Sequence, residues 1–171
     1  ARMAAAKRAR LERAGLLGEN HLVVALDAFA ESGPASLAAV AERHLDPSRG
    51  TAIVTEGLLG YFERRAVEAL WRRIASVLGR FPAGLYLSDL NLAGDLGGMR
   101  SARAFRGLLQ LVTRGRVYLH FKEEDEAAAA LLGAGFAAAA VRLPGDLPEV
   151  DLPGRERRHV VRLIEARTGP G

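Results

Sequence analysis

Three carboxylates stand out because each closes an apolar run: Asp27 after "HLVVAL", Glu56 after "TAIVT", and Asp89 within "AGLYLSDLNL". Asp27 is followed by Ala28 and Phe29. A carboxylate there can accept from an exocyclic amine while the next backbone N–H donates to a ring nitrogen, a pair of contacts that suits adenine. Glu56 is followed by Gly57, and a residue without Cβ lets a ligand come close to the backbone. Each acid taken singly also fits a helix cap or a solvated loop. Three of them at the same place on three apolar runs point to a ligand rim.

Other side chains carry less. Tyr61 and Phe62 open a helical pattern and could wall a pocket, although aromatics at such a place are more often core or a hydrophobic staple. Trp71 falls mid-helix and reads as core. The four histidines show neither a triad nor metal-ligand spacing. His120, inside "RVYLHF", is the one held as a candidate general base. The chain has no GxSxG, no phosphate-loop glycine-lysine motif and no HExxH, so hydrolase, kinase and zinc-peptidase readings have no support.

The elements that would position these groups alternate. Helical spacing is expected over 2–17, with Gly15 and Gly18 as stops, and over 33–45, 62–81, 102–115 and 122–136. Buried strands are expected at 21–29, 50–57 and 83–92, and two more at 137–144 and 158–167. Residues 93–101 read as a glycine-rich loop, and 116–121 fit neither state clearly. Alternating buried strands and helices predict a mainly parallel sheet covered on both faces. Ligands bind such sheets beyond the carboxyl ends of the strands, where Asp27, Glu56 and Asp89 fall.

The chain has 171 residues, 49% of them apolar and 26% charged, which suits a single globular domain with its own core. It lacks cysteine, which excludes disulfides, thiolate metal sites and a cysteine nucleophile. No apolar run approaches the roughly 18 residues of a spanning helix, so a cytoplasmic protein away from the membrane is expected. The net charge of +4 raises the question of nucleic acid. The arginines, however, are interleaved with glutamates, as in "ERRAVEALWRR", which is the pattern of solvated helix faces. The chain opens on "ARM" rather than methionine, so a fragment or a processed product is expected.

"GTAIVTEGLLGYFERRAVEALWRRIASVL" resembles the acid-Gly, apolar, apolar, Tyr, then helix segment of leucine carboxyl methyltransferase-like enzymes, which are class I S-adenosylmethionine-dependent methyltransferases. "NHLVVALDAF" resembles their third strand, and "KEEDEAAAALLGAGFAAAAVRL" the class I helix and Gly-Phe leading into the sixth strand. The resemblance covers about residues 5 to 167, and TEGLLGYF is its most specific part. It implies an α/β, Rossmann-like class I methyltransferase sheet, mostly parallel with an antiparallel last strand. It also implies S-adenosyl-L-methionine as cofactor, with Asp27 and Ala28 as the adenine pair and Glu56 with Gly57 as a second cofactor contact. Tyr61, Asp89 and His120 would then border the acceptor.

The first two strands of that sheet and its glycine-rich turn have no counterpart in the chain. Residues 1–171 therefore read as one partial domain, with 93–121 as a substrate-covering insertion. The missing half lies outside this sequence, or a homo-oligomer or partner segment completes the sheet, or the chain is a degenerate remnant. The implied activity is O-methyl transfer to a carboxylate or hydroxyl of a small molecule. The alternatives are a non-catalytic methyltransferase-like assembly module and, with less behind it, a basic RNA-binding domain.

Overall fold

The computed structural model describes residues 2–96, 118–147 and 161–169. The chain divides into two compact units, residues 1–46 and 47–171. The helix expected over 102–115 and most of the segment 93–121 lie outside the described residues.

In the first unit, α1 (Arg2–Arg13) buries none of its residues. Its end is set by Gly15 at φ 66°. The Leu16 N–H bonds to the Leu11 carbonyl and the Gly15 N–H to the Glu12 carbonyl, which is a glycine-terminated helix stop. The Arg8 side chain donates to the Val23 carbonyl. α2 (Leu37–His44) begins at Ser36, whose hydroxyl accepts the Ala39 N–H at 3.3 Å.

The strand expected at 21–29 does not form. The segment makes only two isolated bridges, Gly18 to His21 and Asp27 to Ser36, and Leu22 and Leu26 stay exposed. A strand exists only where a neighbour takes its backbone N–H and C=O groups. Among the described residues, 21–29 has no such neighbour.

The second unit is built on four strands: β1 (Thr51–Thr55), β2 (Gly84–Asn91), β3 (Ala138–Arg142) and β4 (Val161–Thr168). Their order is β1-β2-β4-β3. β1 runs parallel to β2, and β4 is antiparallel to both β2 and β3. The first three strands therefore share one direction and the last opposes them. This is the α/β sheet with an antiparallel final strand that was expected.

Between the strands lie α3 (Arg64–Leu78), the short α4 (Ala93–Leu96) and α5 (Glu124–Gly133). The start of the expected glycine-rich loop is thus one short helical turn. It is held where the Ala93 and Gly94 N–H groups reach the Phe121 and Lys122 carbonyls. No described helix is long and apolar enough to cross a membrane.

The core lies between the sheet and the α3 and α5 helices, which pack on the same face. α3 buries Val67, Leu70, Trp71, Ile74, Ala75, Val77 and Leu78, a stripe at helical spacing. On β2 the buried positions are Gly84, Tyr86, Ser88 and Leu90, and the intervening residues stay partly open. Trp71 stacks on Phe121 with ring centroids 5.5 Å apart, and Tyr86 on Phe136 at 5.8 Å. The acids Glu124, Asp125 and Glu126 occupy the first turn of α5, where the helix dipole favours them.

Candidate functional site

The register of β1 on β2 sets Thr55 beside Ser88. The Thr55 hydroxyl is 2.8 Å from that of Ser88 and 2.9 Å from the Tyr86 phenol. Burial pushes the Tyr86 phenol above its ordinary pKa, against the hydrogen bonds from Ser88 and Thr55. It therefore remains protonated and ties the ends of the two strands together. Sequence reading passed over this trio, because alternate hydroxyls inside apolar runs look like ordinary strand residues.

Immediately beyond, the chain leaves β1 through Glu56 and Gly57. Gly57 has φ 59°, a conformation that suits glycine, and a Cβ built there would meet nothing within 4 Å. Its N–H donates to Asp89 Oδ1 at 2.7 Å, a short, charge-assisted bond. Two of the three acid-bearing sites are thus brought together at one end of the sheet. Glu56 is exposed and makes no hydrogen bond among the described residues.

Tyr61 ends the 3-10 turn Leu59–Tyr61 and is 50% exposed, while Leu59 beside it is buried. His120 lies close by in the chain's path. The Tyr118 N–H donates to the Gly60 carbonyl at 2.8 Å, and His120 Nε2 lies 2.5 Å from the Phe62 carbonyl. A carbonyl can only accept, so Nε2 carries the proton, and Nδ1 is the nitrogen left with a lone pair. Burial, helped by the Arg64 charge, holds the imidazole below its usual pKa and hence neutral.

Arg64 is a further residue that sequence reading missed. Its guanidinium reaches Glu68 at 2.8 Å, Glu126 at 2.5 Å and the His120 carbonyl at 3.2 Å, and it lies 4.5 Å from the centre of the Phe121 ring. Bonding to Glu68 and Glu126 raises its pKa further. It thereby ties residues 120–126 to the start of α3. Only the Glu68 contact, four residues along the helix, was visible as a sequence pattern.

Asp27 and Ala28 belong to the first unit. The Asp27 Oδ1 accepts the Phe29 N–H at 3.0 Å, its N–H donates to the Ala35 carbonyl, and its carbonyl accepts from Ala30. The carboxylate therefore closes a small turn with one oxygen and stays exposed, and the Ala28 N–H makes no hydrogen bond among the described residues. No group of acids and histidines that could hold a metal ion occurs among the described residues.

The strand order and the opposed last strand are those of part of a Rossmann-like α/β sheet. Neither a family model nor a curated protein matches the chain. Solved structures do. An O-methyltransferase family protein from Burkholderia thailandensis is 15% identical with a TM-score of 0.58, covering 98% of this chain and 41% of that one. PigF, solved with SAH, is 18% identical with a TM-score of 0.58, covering 98% and 40%. The mitomycin 7-O-methyltransferase MmcR is 21% identical with a TM-score of 0.52, covering 97% and 39%. The chain thus spans about two fifths of the length of each of these three structures.

Proposed function

We propose that this chain forms part of an S-adenosylmethionine-dependent O-methyltransferase acting on a hydroxyl or carboxylate of a small molecule. The observation that carries the reading is the open Glu56–Gly57 turn at the carboxyl end of β1, in a fold similar to that of an O-methyltransferase family protein. Each unit by itself offers groups of the kind this cofactor uses. Asp27 has a second carboxylate oxygen to accept from the exocyclic amine of adenine, and the Ala28 N–H can donate to a ring nitrogen. Glu56 offers an exposed carboxylate to ribose hydroxyls or the amino-acid end, and Gly57 keeps the approach open. PigF was solved with SAH and MmcR is a mitomycin methyltransferase, which supports this cofactor and a small-molecule acceptor.

When bound, S-adenosylmethionine supplies an electrophilic methyl group. The chain's own contribution is to hold and orient the reactants, and such positioning contributes much of the rate. Tyr61 offers an aromatic edge and a hydroxyl beside the rim. Neutral His120, with its proton fixed on Nε2, has Nδ1 to take a proton from an acceptor hydroxyl. The narrower placement among leucine carboxyl methyltransferase-like enzymes is supported by TEGLLGYF alone.

The test is calorimetric titration of S-adenosylhomocysteine into the purified chain. Saturable binding is expected, weakened about tenfold by Asp27→Ala through loss of a charged hydrogen bond. A folded chain that shows no binding overturns the reading for these 171 residues. It would favour the second one, a non-catalytic assembly module, which the 65% exposed Val54 on the edge strand β1 supports. Self-association that buries β1 would mark that module.

A further inference from the structure

We infer that Asp89 is a positioning residue whose carboxylate sets the direction of the Glu56–Gly57 turn and so the placement of the Glu56 side chain. The β1–β2 ladder ends at Thr55 opposite Ser88. Extending it by one step would put Glu56 opposite Asp89, two like charges facing each other across neighbouring strands, which is unfavourable. The chain does something else. It turns at Gly57 with φ 59°, and the Gly57 N–H, rather than the Glu56 carboxylate, meets Asp89 Oδ1 at 2.7 Å.

One acid thus attracts the amide and repels the carboxylate beside it. Both effects drive the same turn and leave Glu56 exposed. The lower side of the turn is fixed as well. Thr55, Tyr86 and Ser88 are bonded hydroxyl to hydroxyl just below it, so the strand end cannot slide to relieve the Asp89 contact. β2 in turn is held over its whole length by β4, Asp89 pairing with Leu163. Asp89 is therefore mounted on a strand paired on both sides and acts on the end of its neighbour. The positioning role for ligand binding rests on the reading of Glu56 as a cofactor contact, whereas the turn itself does not.

The test uses nuclear magnetic resonance of the Gly57 amide together with S-adenosylhomocysteine titration, on the parent chain, Asp89→Leu and Asp89→Asn. Leucine removes the acceptor and the charge, while asparagine keeps an acceptor oxygen in the same place. In Asp89→Leu the Gly57 amide proton is expected to move upfield and to exchange about tenfold faster or more, the worth of a charged hydrogen bond. The ligand is expected to bind about tenfold more weakly, with the melting temperature nearly unchanged. Asp89→Asn is expected to restore slow exchange and most of the affinity.

A Gly57 amide indifferent to Asp89→Leu overturns the inference, as does equal ligand affinity in that variant and in a parent chain that binds. If the parent chain binds no S-adenosylhomocysteine, the cofactor reading fails alone, and the Gly57 amide still decides whether Asp89 sets the turn. Should Asp89→Leu not fold, Asp89→Ala serves in its place.

Discussion

The segments 21–29 and 51–55 are close to interchangeable in composition. Both are short apolar runs rich in β-branched or aliphatic residues; the first contains, and the second leads into, an acid and a small residue, Asp27–Ala28 and Glu56–Gly57. One is a strand and the other is not. Thr51–Thr55 lies in parallel register against Gly84–Ser88, with α3 packed over the same face. Residues 21–29 have two isolated bridges and no ladder, and Leu22 and Leu26 are 57% and 46% exposed. An apolar run is a capacity to form a strand, and a partner strand is needed to realise it. The acids differ accordingly. Glu56 stands beyond the end of a ladder at a turn held by Asp89, whereas Asp27 spends one oxygen on its own loop.

Perturbing each side of this contrast sharpens it, and the largest effect is expected under the sheet. Trp71 is fully buried and stacked on Phe121, so Trp71→Ala should cost about 3–5 kcal/mol in denaturant unfolding. A loss below about 1 kcal/mol would mean that the packing under the sheet is not what holds the unit together.

Gly84→Ala comes next. Its Cβ would lie 2.2 Å from Thr168 Oγ1 and 2.9 Å from the Leu78 carbonyl, where β2, β4 and α3 meet. Destabilisation of about 1–3 kcal/mol is expected in the same measurement, since overpacking forces backbone to move.

Acidification should act through His120. Its pKa is lowered in the folded chain by burial, so the unfolded state binds the proton more readily. The corresponding stability is present above the ordinary histidine value of 6.5 and is lost as pH falls below it. Unfolding followed between neutral pH and about 5 should show this decline, and His120→Gln should flatten it. Glu126, whose pKa is also lowered, by the Lys122 N–H and Arg64, loses its contribution in a separate window below 4.5.

The smallest effect is expected in the unpaired run. Leu26→Ala should change stability by no more than about 0.5 kcal/mol. A loss comparable to that of Trp71→Ala would break the comparison outright, because it would mean that 21–29 is packed as firmly as the sheet.

Much of the second unit could be read from the residues. The stripe of Val67, Leu70, Trp71 and Ile74 announces a helix with one buried face, and "GLYLSDLN" and "VRLIEART" announce strands by alternation. Gly15 marked the end of α1, and Gly57 marked a place where the backbone lies open. The site's internal wiring was not readable. That Asp89 would bond the Gly57 amide depends on a parallel register between residues far apart in the chain. That Arg64 would bridge Glu126, Phe121 and the His120 carbonyl depends on α3 and α5 meeting over the sheet. Neither relation leaves a trace in local spacing.

The sequence by itself determined which segments have a buried side, where helices stop, and which acids, amides and rings are available for chemistry. Those properties follow from side-chain type and from the 2.0 and 3.6 residue periods, which act over a few neighbours. Tertiary structure alone decided which apolar run became a strand, which carboxylate holds an amide and which remains exposed, and which nitrogen of His120 keeps its proton. Each of those outcomes is fixed by a hydrogen-bond partner or a charge brought in from a distant part of the chain, and only folding supplies it.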